Sequence, residues 1–114
     1  PRLDGRDLVT AYHAAAAFVF PSLYEGFGFP LIEAVSCGVP AAASNSSSLP
    51  EAGGDAPFYF DPTDGDAMLA ALDAAVGVAR DASRIREGME WARRRTWDAV
   101  AEEYMQVYRG VCGA

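Results

Sequence analysis

Ala17-Phe18-Val19-Phe20, then Pro21-Ser22-Leu23-Tyr24-Glu25-Gly26-Phe27-Gly28-Phe29-Pro30-Leu31-Ile32-Glu33, then Gly38-Val39-Pro40 and Ala41-Ala42-Ala43 form the stretch on which the fold turns. Its first four residues are a short apolar run rich in β-formers, closed by Pro-Ser, as in a strand buried on both faces. A glycine-bearing loop, Tyr24 to Phe29, follows. Pro30 suits the opening of a helix, where a missing N–H costs nothing. That helix carries Glu33 and Val35 and stops at Gly38, with Pro40 beyond it. Alanine by itself prefers helix, but Ala41–Ala43 reads as a strand from context. It follows a short helix, with Pro40 before it and Ser44-Asn45-Ser46-Ser47-Ser48 after it.

Working outward, Asp4 with Asp7 marks a helix N-terminus, and Leu8, Val9, Tyr12 and Ala15/Ala16 recur at helical spacing. Phe58-Tyr59-Phe60 is a further short strand, ended by Asp61-Pro62. Asp64 or Thr63 then caps a helix expected to carry Met68, Leu69, Leu72 and Val76 on one face. Another helix carries Ile85, Met89 and Ala92. The last carries Trp97, Val100/Ala101, Tyr104, Tyr108 and Val111 at steps of three and four. Helices alternating with short apolar strands predict an α/β fold: a Rossmann-like parallel sheet flanked by helices.

Composition narrows the function. The 114 residues include nine basic residues, all arginine, and 16 Asp plus Glu, for a net charge of −7. Hydrophobic residues at 51% can offset the entropy of ordering, which excludes a disordered chain. The acidic balance disfavours nucleic acid or an anionic membrane as partner. No run approaches the ~20 apolar residues of a membrane span, and no signal peptide is visible. Cys37 and Cys112 lack metal or disulfide spacing, so a reducing, cytoplasmic setting is expected.

The loop Tyr24 to Glu33 holds the most unusual chemistry. Gly26 and Gly28 suit a backbone at positive φ that a ligand approaches closely. Free N–H groups there and at the helix start, with the helix dipole, form a site for phosphate or sugar oxygens. Glu33 lies one turn into the helix and leans back toward the loop that presents Glu25. Carboxylates accept from hydroxyls, often two at once. A ligand with both hydroxyls and phosphates, such as a sugar nucleotide, fits that set; a glycosidase pair needs a carboxyl separation that sequence does not give.

Glu25-Gly26-Phe27-Gly28-Phe29-Pro30-Leu31-Ile32-Glu33 resembles the E-x7-E motif of retaining GT-B glycosyltransferases of group 1 (family 4). Pro21-Ser22 before it, Glu33 to Pro40 after it, Ser44-Asn45, Leu49-Pro50-Glu51, Phe60-Asp61-Pro62 and the closing helices agree with that resemblance across the chain. It implies the C-terminal part of a GT-B fold, with residues 1–114 inside the nucleotide-sugar-binding domain. It implies that Glu25 contacts the donor sugar in catalysis. It implies that amides of Gly26, Phe27, Gly28, Phe29 and near Leu31 hold sugar and phosphate, and that Glu33 binds the ribose. It implies transfer of a glycosyl group with retention and without a metal or other cofactor, the nucleotide-diphosphate-sugar being the donor substrate. The Arg and Lys that such enzymes carry earlier in this domain have no counterpart here, and no acceptor-binding N-terminal domain is present. The 114 residues are therefore expected to be part of a longer enzyme, inactive alone. The bared closing helix is expected to drive self-association of the fragment. Readings from other classes are a non-catalytic binding or assembly module of the same fold, and a nucleotide-sugar epimerase. A phosphorylase on this fold would need a lysine that the chain lacks.

Other polar residues carry plainer expectations. His13 sits mid-helix among alanines and is expected to be structural or solvent-facing. Cys37 is expected to pack as a small residue. Asp61, Asp64 and Asp66 suit a turn and a helix cap rather than a metal. Ser44, Asn45, Ser46 and Glu51 follow the second strand, where an approach to the nucleotide competes with simple loop roles.

Overall fold

In a computed structural model describing residues 2–113, six helices and three short strands alternate. They are α1 (Gly5–Ala14), β1 (Phe18–Phe20), α2 (Phe29–Ser36), β2 (Ala41–Ser44), α3 (Leu49–Gly53), β3 (Phe58–Phe60), α4 (Gly65–Gly77), α5 (Ser83–Arg93) and α6 (Trp97–Cys112). The strands form one parallel sheet in the order β1-β2-β3, with Phe18 opposite Ala41 and Ala42 opposite Phe58. All three chain directions agree, so the loops after Phe20, Ser44 and Phe60 leave the same edge of the sheet.

The alanines of β2 mark the central strand, and all four of its residues are buried. Alternate side chains of a strand face opposite sides. Ala41 and Ala43 join Leu31, Val35, Leu49 and Ala92 in one cluster. Ala42 joins Phe60, Ala71 and Ala75 in another, on the α4 side. Small side chains let helices close on both faces of the sheet, while Phe18, Phe20 and Phe58 fill the flanks. A third cluster of Tyr12, Ala34 and Val39, with Leu8 and Phe18 against it, fastens α1 to α2.

Caps end the helices much as the sequence suggests. Asp4 accepts from the Arg6 and Asp7 amides, and Asp64 from those of Asp66 and Ala67, all at 3.0 Å. Asp61 is tied up in a turn, accepting from the Thr63 hydroxyl at 2.7 Å and amide at 2.8 Å. Those bonds hold its carboxyl below the usual carboxylate range. Among the described residues no three His, Cys, Asp or Glu gather as metal ligands.

Three sequence expectations change. Helix α2 opens at Phe29, with Pro30 second. The Leu49–Gly53 turn is a helix that its proline and glycines conceal. The inward face of α4 is Ala67, Met68, Ala71 and Ala75, whereas Leu69 and Val76 are more than half exposed. Helix α6 buries no residue at all. No helix among the described residues is long and apolar enough to cross a membrane.

Candidate functional site

The loop leaving β1 and the serine loop leaving β2 are laced together. The Ser44 hydroxyl, fully buried, donates to the Ser22 carbonyl. The Glu25 amide donates to Ser47 Oγ at 3.0 Å, and Ser47 takes a left-handed φ of 51° to meet it. Ser48 Oγ reaches the carbonyls of Glu25 at 3.1 Å and Phe27 at 2.8 Å. The glycine loop is thus held from below by three serine side chains. Ser44 is spent on this bracing and does not face outward; Asn45 is exposed.

Gly28 caps α2 at φ 105°. A Cβ there would lie 2.6 Å from Leu49 Cδ2 and 3.4 Å from Ala52 Cβ. Glycine is needed at 28 for conformation and for room. Gly26 differs: its φ is not positive, and a Cβ would meet open space.

Among the described residues, the N–H groups of Gly26, Phe27, Gly28 and Phe29 donate to no protein acceptor. Three of these donors precede α2 and the fourth opens it, and a helix N-terminus favours anions and hydroxyl oxygens. The Leu31 amide, expected in the same set, is withdrawn from it. It donates to the Gly28 carbonyl at 3.0 Å, closing the first turn of α2. The Leu31 side chain is wholly buried in the core.

Each carboxylate is held by one hydroxyl. Ser22 Oγ donates to Glu25 Oε1 at 2.8 Å, and Glu25 is half-buried. Tyr12 donates to Glu33 Oε2 at 3.1 Å and approaches the Pro30 carbonyl at 3.3 Å, while Glu33 itself is exposed. Burial, and then the bond to Glu33, push the Tyr12 phenol up to about 12, so it remains a donor. Beside the loop, the Phe27 and Phe29 rings meet edge-on at 5.2 Å, and Phe29 lies 6.1 Å from Trp97 at the head of α6.

The residues singled out from sequence, Glu25, Glu33 and the amide run, are braced by Tyr12, Ser22, Ser47 and Ser48, to which the sequence reading gives no such role. The serine cluster read as loop, and Tyr12 as one apolar position of a helix. A cavity of about 490 Å³ lies elsewhere, between the Asp55–Ala56 turn and α5, with Arg84, Trp91 and Arg94 on its walls. It sits near the amino end of β3, the opposite edge of the sheet. Its Arg84 is spent on the Ala56 and Pro57 carbonyls and stacks 4.2 Å over Phe58. His13 is exposed and Cys37 partly buried, and both cysteines are free.

Residues 1–88 match the family model described as glycosyl transferases group 1. The chain is 41% identical over 105 residues to the O-antigen chain mannosyltransferase B of Escherichia coli, a match covering 90% of this chain and 27% of that protein. It is 32% identical over 114 residues to the MMP alpha-(1->4)-mannosyltransferase of Mycolicibacterium hassiacum (93% and 27%). It is 33% identical over 108 residues to the alpha-maltose-1-phosphate synthase of Mycolicibacterium smegmatis (86% and 28%). The chain spans about a quarter of the length of these relatives. No solved structure matches it. The chain belongs to the group 1 glycosyltransferases, and its parallel sheet with flanking helices is that of a Rossmann-like GT-B C-terminal domain.

Proposed function

We propose that this member of the group 1 glycosyltransferases supplies the donor-binding part of an enzyme that moves a hexosyl group, with retention, from a nucleotide-diphosphate-sugar to an acceptor. The observation that carries this reading is the unspent amide run of Gly26 to Phe29, flanked by two carboxylates that are each fixed by a single hydroxyl. Amides and the α2 dipole take the sugar and phosphate oxygens. Glu25 accepts from sugar hydroxyls and Glu33 from the ribose. Positive charge developing on the sugar is met by the leaving phosphate, which the amides stabilise in turn. We place the reaction in the cytoplasm, with which two free cysteines agree.

The same reading sets what the rest of the enzyme provides. The loop from Pro21 to Pro30 contains no cation and two of its nearest charges, Glu25 and Glu33, are negative. A diphosphate there needs positive charge from outside this chain, as does the acceptor site. The 114 residues alone are therefore inactive.

Calorimetry on the full-length protein with ADP, GDP and UDP tests the reading. One of them binds, and Glu33→Ala weakens it roughly 10- to 100-fold, the scale of a lost charge-assisted bond. Glu25→Ala lowers kcat for sugar transfer more than it lowers nucleotide affinity. Nucleotide affinity untouched by Glu33→Ala refutes the assignment and favours a non-catalytic module of the same fold.

A further inference from the structure

We propose that Tyr12 is a positioning residue for Glu33, holding its carboxylate ready for the nucleotide ribose from the neighbouring helix α1; the inference rests on the ribose role of Glu33 proposed above. Tyr12 is 8% exposed, and its ring fills the cluster with Ala34 and Val39, edge-on to Phe18 at 5.7 Å. A phenylalanine would fill that space equally. The hydroxyl is the surplus, and its two acceptors are Glu33 Oε2 and the Pro30 carbonyl.

Neither acceptor needs it for folding. Pro30 lies in the first turn of α2, where the helix brings its own amide donor to that carbonyl. Glu33 is exposed, so water would solvate it. What the bond does is direction. A free glutamate holds many rotamers, and immobilising it at the moment of binding costs affinity. The bond from Tyr12 occupies one oxygen and leaves Oε1 and the remaining lone pairs for a ribose diol. The phenol, raised to about 12 by burial and by Glu33, stays protonated through the neutral range and cannot turn into a repelling anion.

The test uses the full-length protein and four forms: wild type, Tyr12→Phe, Glu33→Ala and the double variant. Each is titrated with ADP, GDP and UDP, and with the 2′,3′-dideoxy analogue of the nucleotide that binds. Tyr12→Phe is expected to weaken ribonucleotide binding about fivefold, to leave the dideoxy analogue unchanged, and to add nothing to Glu33→Ala. The donor KM rises and kcat is retained. A merely structural role would move both nucleotides and both backgrounds alike, and that result overturns the proposal. So does full ribonucleotide affinity in Tyr12→Phe while Glu33→Ala is impaired, which leaves the ribose role of Glu33 standing. An unimpaired Glu33→Ala removes that role and this inference together. Should Tyr12→Phe fold poorly by circular dichroism, 3-fluorotyrosine at position 12, a stronger donor of nearly the same size, takes its place. Tighter ribonucleotide binding then supports positioning, and unchanged binding refutes it.

Discussion

Replacing Gly28 and Gly26 in turn separates the two duties that glycine has in this loop. In Gly28→Ala the new Cβ falls 2.6 Å from Leu49 Cδ2, and Leu49 is fully buried and cannot swing aside. Relieving such an overlap in a packed core costs about 1–3 kcal/mol. Placing an L-residue at φ 105° adds about 1–2 kcal/mol. The sum, roughly 2–5 kcal/mol, is a large share of a domain stability of about 5–15 kcal/mol. Gly26→Ala meets open space at a φ that L-residues tolerate, so its stability changes by less than about 0.5 kcal/mol. Its methyl instead stands where the proposed ligand approaches the backbone. Urea unfolding followed by circular dichroism, paired with nucleotide titration, reads both effects. Gly28→Ala loses stability; Gly26→Ala keeps it and loses affinity by tenfold or more. Equal stability losses in the two variants, or a Gly28→Ala protein as stable as wild type, refute the steric reasoning.

Two further outcomes follow from burial and its absence. The phenols of Tyr12 and Tyr59 are both raised from 10 to about 12, the second by burial and by Asp55 against the opposing pull of Arg84. The folded state then keeps protons that the unfolded state gives up, so their stabilisation is whole below pH 10 and is lost as pH rises through 12. After allowing for partly solvated hydroxyls this amounts to about 1–2 kcal/mol each, measured as the fall in urea midpoint between pH 9 and 12. The second outcome concerns α6, where Trp97 is 77% and Val111 81% exposed and Tyr104 and Tyr108 lie more than half bare. Such a stripe promotes association, so the 114-residue chain is expected to self-associate in light scattering and Tyr104→Glu with Val111→Glu to reduce it; a monomer at high concentration counts against this.

The parts of the fold legible in the sequence are those whose signal is local. Strand β1, the caps Asp4 and Asp64 and the stop at Gly38 depend on residue type and a few neighbours, and each lies where it was read. Ala41–Ala43 is a strand only because helices close on both its faces, so its identity came from order along the chain rather than from propensity. Helix α3 was hidden for the converse reason: Leu49-Pro50-Glu51-Ala52-Gly53 is a poor helix by propensity, held by Leu49 in the core and by the glycine notch at 28. Around the candidate loop, the sequence shows Glu25 and Glu33 but not the hydroxyls that hold them. Tyr12 is 21 positions from Glu33, and Ser48 is 21 from Phe27. Hydroxyls that bond across such distances leave no spacing in the sequence.

Those hidden supports set the direction of two of the four free amides. In a trans peptide the C=O and N–H point to opposite sides, and no peptide bond among the described residues is cis. Ser48 draws the Glu25 carbonyl toward the serine loop, so the Gly26 N–H of the same peptide turns away from it. It draws the Phe27 carbonyl the same way, so the Gly28 N–H also turns away from the serine loop. The single Ser48 proton is shared between the two carbonyls, so one hydroxyl biases the direction of two donors, while Ser47 takes up the amide of Glu25. A loop left to itself would turn carbonyls and amides outward alike, and an incoming phosphate would meet both signs of dipole. Here the acceptors that Ser48 reaches are tied inward before any ligand arrives. For the donor binding proposed above, the cost of ordering the loop is then met in folding rather than in binding, and the two amides that Ser48 orients are turned from the serine loop before an anionic group arrives.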